Sequence, residues 1–165
     1  MFFEFRQRGL LRRDCPIYIG GLGAKLTEIH DKLAQQTRRQ SPDLQLLDRV
    51  APFVLAGQHA TDQPVKGGRI YAISSGMMTP KTLSNTLAKH FLSDPQHSLI
   101  FVGYADPESP AGKIRNAAPG DIVQLSPELP PQPLRCRVEK FNFSGHASRE
   151  SLRAFAQKTR PRKVI

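Results

Sequence analysis

The 165-residue sequence has no tryptophan and two cysteines, Cys15 and Cys136. Two isolated thiols cannot build a disulfide framework or a cysteine zinc cluster, so packing must hold the fold, and a reducing, cytoplasmic compartment is expected. No apolar run approaches the ~18–20 residues that a membrane span requires, so no membrane partner is expected. The opening Met1-Phe-Phe-Glu-Phe-Arg is interrupted by Glu4 and Arg6, which is not the pattern of a secretory leader. Acidic residues are scarce, 14 against 24 Lys and Arg, for a net charge of +10 at pH 7. What is present is ordinary for a globular protein: 39% hydrophobic and 23% charged residues exclude a disordered chain. Twelve Gly and 14 Pro imply several tight turns.

The positive excess is concentrated at the two ends. Residues 1–40 carry a net +4, 41–147 a net +1 and 148–165 a net +5. The cations concerned are Arg6, Arg8, Arg12, Arg13, Arg38 and Arg39, then Arg149, Arg153, Lys158, Arg160, Arg162 and Lys163. A polyanion such as nucleic acid is one reading, because each phosphate neutralised releases condensed counterions. A solubilising surface charge is the other.

Strand-type and helix-type patterns alternate along the chain. Residues 2–13 read as a helix ending near Gly9. Pro16-Ile-Tyr-Ile-Gly20 reads as a strand entering a turn, and Leu22, Leu26, Ile29 and Leu33 recur with helical spacing to about Gln36. Residues 37–68 are mixed, with an apolar run at 51–56. Residues 69–74 are a second strand, and Thr79-Pro80 predicts a helix start, with Leu83, Leu87 and Phe91 as its stripe. Residues 98–103, apolar after Ser98, predict a strand buried on both faces. Residues 121–125 and 134–143 predict antiparallel strands, 149–158 a last helix, and 162–165 the start of another strand. The expected fold is α/β: a Rossmann-like three-layer domain with a mainly parallel sheet flanked by helices, plus a short antiparallel strand pair.

Three segments invite chemistry. Gly20-Gly-Leu-Gly23 lies between strand and helix, but Leu26 occupies the third position of a dinucleotide fingerprint, which favours plain turn glycines. Ser74-Ser-Gly-Met-Met-Thr-Pro80 leaves a strand at the sheet edge where α/β domains bind ligands. It is either a phosphate-type loop or a simple helix cap. His146, in Phe143-Ser-Gly-His-Ala-Ser148, can move a proton, bind a metal, or be merely exposed. His30, His59, His90 and His97 show no ligand spacing. No metal, phosphate-loop or nucleophile motif occurs, so the residues alone reach a basic α/β binding domain.

Taken in order, Ser74-Ser-Gly-Met-Met-Thr, Leu99-Ile-Phe-Val-Gly-Tyr104 and Phe143-Ser-Gly-His-Ala-Ser148 resemble the β-CASP family, nucleases of the metallo-β-lactamase fold. Pro16-Ile-Tyr-Ile-Gly-Gly-Leu resembles the start of that family's inserted domain. The resemblance implies a β-CASP cap over residues 1–142 and, over 143–165, the first part of a return segment into a metallo-β-lactamase domain. It implies that the H-x-H-x-D-H zinc signature lies before this chain, so that zinc, in a two-metal site, belongs to the parent enzyme and none is bound by these residues. Carried over by position, His146 is the catalytic histidine that protonates the leaving oxygen. Ser75, Gly76, Met77, Thr79, Ser144 and Gly145 become substrate-binding or domain-contact residues. Ser148 stands where the family often has Asp, which removes that carboxylate's orienting role but leaves a helix cap.

The resulting expectation is the cap of a zinc-dependent nuclease that hydrolyses phosphodiester bonds in RNA, inactive by itself. Its partners would be single-stranded RNA and the lactamase domain. The alternative is a freestanding basic α/β nucleic-acid-binding module. Helix 149–158 carries Leu152, Phe155 and Ala156, which would pack on the lactamase domain. Without it they must pack on the cap, pair with another copy, or stay exposed.

Overall fold

The structure, a computed structural model, describes residues 1–39, 41, 43–55, 68–74, 76–141 and 147–163. Three strands form a parallel sheet in the order β2-β1-β3: β1 (Ile17–Gly20), β2 (Phe53–Leu55) and β3 (Ile70–Ile73). Tyr18 sits opposite both Phe53 and Tyr71, so three rings stack across the sheet with centroids 5.1 Å apart in each pair. Cross-strand pairs of this kind are the unit that holds a sheet in register. Tyr71 passes the contact on to Phe91, and Phe91 to the edge of His97.

The helix α1 (Phe2–Gln7) is shorter than its apolar pattern suggests, because Gly9 takes a φ of +69° and turns the chain. The amphipathic helix α2 (Leu22–Lys32) follows the glycine turn and continues as a 3-10 turn, Ala34–Gln36. Its stripe does not face the core: Leu22 is 65% exposed, and Leu26, Ile29 and Leu33 are also open to solvent. Asp31 is the buried residue of this helix, 6% exposed. Its carboxylate accepts the Leu47 amide at 2.7 Å and so caps α3 (Leu46–Val50) from across the fold. Desolvation pushes the Asp31 carboxyl up, but bonds from Leu47 and Leu46 and the adjacent His30 together hold it below the usual range.

The second half of the chain carries the main core. Met78, Ala88, Leu92, Ala105, Ala111, Ile114, Val123, Leu125, Leu134 and Cys136 form one buried cluster. It is enclosed by α4 (Leu83–Ala88), α5 (Pro110–Asn116) and the parallel pair β4 (Ser98–Val102) and β7 (Arg137–Phe141). Two short strands, β5 (Ile122–Val123) and β6 (Gln132–Pro133), make the antiparallel pair. The last element is α6 (Arg149–Thr159), capped by Ser148, whose hydroxyl accepts the Ser151 amide at 3.1 Å.

Four expectations are corrected. The strand at 98–103 is not buried on both faces. Leu99 and Phe101 pack on the core, whereas Ile100 and Val102 are each 62% exposed, since only one face of the β4–β7 pair is covered. The antiparallel partner of 121–125 is Gln132–Pro133, and 137–141 pairs in parallel with β4 instead. The chain changes direction after Leu134, where the Arg135 and Cys136 amides both donate to the Leu92 carbonyl, at 2.8 and 3.0 Å. The helix predicted at Thr79-Pro80 begins later, at Leu83. Arg162 and Lys163 form no strand, and residues 164 and 165 lie outside the described residues.

Candidate functional site

Because β1 and β3 are parallel neighbours with Gly20 opposite Ile73, the turns that follow them leave the same edge of the sheet. Ser74 ties them together: its hydroxyl accepts the Gly23 amide at 2.9 Å and approaches the Gly20 carbonyl at 3.4 Å. The approach is close, and at Gly21 the positive φ itself favours glycine. A Cβ on Gly20 would lie 2.5 Å from Leu83 Cδ2, and one on Gly21, at φ +69°, 2.6 Å from Ser74 Oγ. The glycines therefore serve strand–helix packing, as the broken dinucleotide fingerprint suggests.

Beyond Ser74 the loop makes a 3-10 turn, Gly76–Met78, with an unusual backbone. Met77 (φ 60°), Met78 (φ 55°) and Lys81 (φ 69°) all lie in the left-handed region. Side chains rarely adopt it, and such residues persist only when their surroundings hold them. Met78 is buried in the core cluster and Met77 packs against it. Asn85 supplies the polar restraint. It is 3% exposed, and its side-chain amide donates to the Met78 carbonyl at 2.8 Å and the Leu125 carbonyl at 3.0 Å. One buried amide thus fixes the loop to the segment around β5.

The helix start was misplaced for a related reason. Lys81, with φ +69°, breaks the run that Pro80 would have begun, and the Thr82 hydroxyl, not that of Thr79, accepts the Asn85 amide at 3.3 Å. That hydroxyl donates in turn to the Thr79 carbonyl at 2.7 Å. The amino end of α4 is therefore set by its own cap at Thr82, three residues after the Thr79 that the sequence suggests.

Of the residues singled out from sequence, Gly76, Met77 and Thr79 come together in this loop beside the glycine turn. Ser75, Ser144, Gly145 and His146 lie outside the described residues, as does His59. Asn85 and Asp31 were missed. The available signal was a short polar residue inside an apolar helical pattern, a position that a buried hydrogen bond has to justify. His30 lies 3.8 Å from Asp31, and His97 lies 3.5 Å from Asp94 and edge-on to Phe91. Burial, with Lys89 beside it, pushes the His90 imidazole below its ordinary value. Cys15 and Cys136 are free and buried. Among the described residues no three His, Cys, Asp or Glu gather where they could hold a metal ion, so the donor set for zinc is not found among them. No described helix is long and apolar enough to cross a membrane.

A parallel sheet that brings two loops out at one carboxyl edge, one strained and pinned by a buried amide, defines an α/β domain, a class in which ligands commonly bind at that edge. The sequence itself goes further. Residues 2–114 match the model of the Beta-Casp domain, and 131–165 match that of the Zn-dependent metallo-hydrolase RNA specificity domain. The chain belongs to the β-CASP family. A ribonuclease of Thermus thermophilus is 36% identical over 100 residues, which cover 60% of this chain and 22% of the relative. The chain thus answers to about a fifth of that protein's length.

Proposed function

We propose that the chain is the nucleic-acid-facing cap of a zinc-dependent nuclease of the metallo-β-lactamase fold, acting on RNA. The observation that carries this reading is the order of the two family matches, a Beta-Casp domain followed by an RNA specificity domain of Zn-dependent metallo-hydrolases. The 36% identity to a ribonuclease supports the choice of RNA. In this reading residues 1–142 form the cap and 143–165 begin the return segment. The pairing of β7 with β4 supports keeping 137–141 with the cap, although the second family match starts at residue 131. Zinc belongs to the lactamase domain of the parent enzyme. The two buried, free cysteines suit a reducing, cytoplasmic setting.

The division of labour is as follows. Gly76, Met77 and Thr79 present the strained loop to the strand of RNA, with Ser75 beside them, while Ser144 and Gly145 bring His146 to the scissile phosphate. His146 donates a proton to the leaving oxygen, which requires that oxygen within hydrogen-bond reach of the ring. In the parent enzyme His146→Ala should lower turnover by about 10²–10⁴-fold with little change in RNA affinity. Unchanged turnover removes His146 from the mechanism. A nuclease assay with zinc titrated into the 165-residue chain tests the rest, and robust cleavage by the chain alone refutes the role of cap.

A further inference from the structure

The two basic ends of the chain are not equivalent. At the amino end most of the cations have protein partners. Arg6 donates to the carbonyls of Val50 and Cys15, at 2.7 and 2.8 Å. Arg12 makes a two-point contact with Asp14, Arg8 pairs with Glu4, and Arg39 donates to Thr37 and the Leu44 carbonyl. At the carboxyl end, Arg149, Arg153, Lys158, Arg160, Arg162 and Lys163 are all exposed, and none has an ion-pair or hydrogen-bond partner for its side chain among the described residues. Glu150 is the sole acid from 148 to 165. Among the described residues these six unpaired cations, held on and just beyond one helix, form a concentrated positive field that Glu150 alone offsets within the segment.

We infer that α6 and the segment after it are a phosphate-backbone site for single-stranded RNA, with Arg149 and Arg153 as its ordered contacts. This rests on the RNA reading above and assigns residues to it. The two arginines stand one turn apart on one face of α6, about 6 Å along the axis. They can therefore address separate phosphates of one strand, and the guanidinium fork suits phosphate oxygens. Leu152 and Phe155 fall to the side of this row, which leaves the apolar stripe for other contacts. The site reads charge and spacing and carries no base preference.

The test is binding of a labelled single-stranded oligouridylate to the full 165-residue chain, followed from low to moderate salt. Arg149→Gln with Arg153→Gln keeps helix propensity and removes two charges. For single strands each lost phosphate contact lowers the salt slope by about 0.7. The double variant should therefore lose about 1.4 from the slope, and should weaken about sevenfold less than the parent chain over a fourfold rise in salt. Arg8→Gln with Arg12→Gln, an equal charge change, should move the slope less. An unchanged slope in the 149/153 variant, as expected if this row docks on an acidic protein instead, overturns the site, and so does an equal loss in the 8/12 variant. No binding by the parent chain even at low salt refutes the RNA reading together with the site.

Discussion

Asn85 offers a sharp test of how the loop at residues 76–79 is held. Its side chain donates two buried hydrogen bonds, to the Met78 carbonyl at 2.8 Å and the Leu125 carbonyl at 3.0 Å. Asn85→Ala leaves both acceptors without that donor. A buried polar group left unmade costs about 1–3 kcal/mol, so the pair costs about 2–5 kcal/mol, less a few tenths regained from alanine's better helix propensity. For a chain of this size, where 1 kcal/mol moves Tm by about 2–4 °C, the expected fall is about 4–20 °C by circular dichroism. Asn85→Asp separates the bond from the volume. The introduced carboxylate has no proton to give and faces two carbonyl oxygens, so at neutral pH it should cost at least as much as alanine. Those surroundings raise the folded-state carboxyl above its unfolded value of about 3.9. The protonated acid recovers one donor, so the variant's deficit should be smallest below pH ~4 and should grow as pH rises through the folded-state value. Alanine and aspartate variants that both melt within about 1 °C of the parent chain would refute the clamp.

Three further outcomes follow from the same structure. The Asp31 carboxyl is held below its ordinary value, so its contribution is fully present above about pH 4 and lost as pH falls through the lowered folded-state value. Asp31→Asn should therefore flatten stability over that acid range, seen as a convergence of the two melting curves as pH drops. Gly21→Ala, at φ 69° and ψ −156° and crowding Ser74 Oγ, should cost about 1–3 kcal/mol or more in denaturant unfolding. Leu152 and Phe155, the latter 67% exposed, form an apolar stripe free to meet a second copy. Sedimentation should show concentration-dependent association that Leu152→Ser with Phe155→Ser abolishes, and a monomer at every concentration removes the self-association reading.

The alternation of strands and helices was legible because β-branched runs and glycine turns are local signals. Ile17–Gly20, Ile70–Ile73 and the cap at Ser148 all stand where their residues suggest. The pairing was less legible. Arg137, Glu139 and their neighbours alternate like a strand of either kind, and the Leu92 carbonyl, more than forty positions away in sequence, turns that segment towards β4. The exposed face of α2 is a similar case, since Leu22, Leu26, Ile29 and Leu33 state an amphipathic helix without stating what covers it. In the candidate site the loop was found by its glycine and hydroxyls. The left-handed methionines and the Asn85 clamp are tertiary effects with no local pattern.

The parallel pairings also bear on how this chain reaches its fold. Ile17 meets Ile70, Tyr18 meets Phe53 and Ser98 meets Arg137, so each of these parallel contacts closes a long loop before it returns any stabilisation. The antiparallel pair that could form early is two residues a side, too short to hold by itself. Folding should then be slow for the chain's size, with open strand edges exposed meanwhile in addition to the apolar faces of α2 and β4 that stay open in the folded chain. Yield on refolding should fall as protein concentration rises, and a partner domain present during folding should protect the chain most by covering those faces.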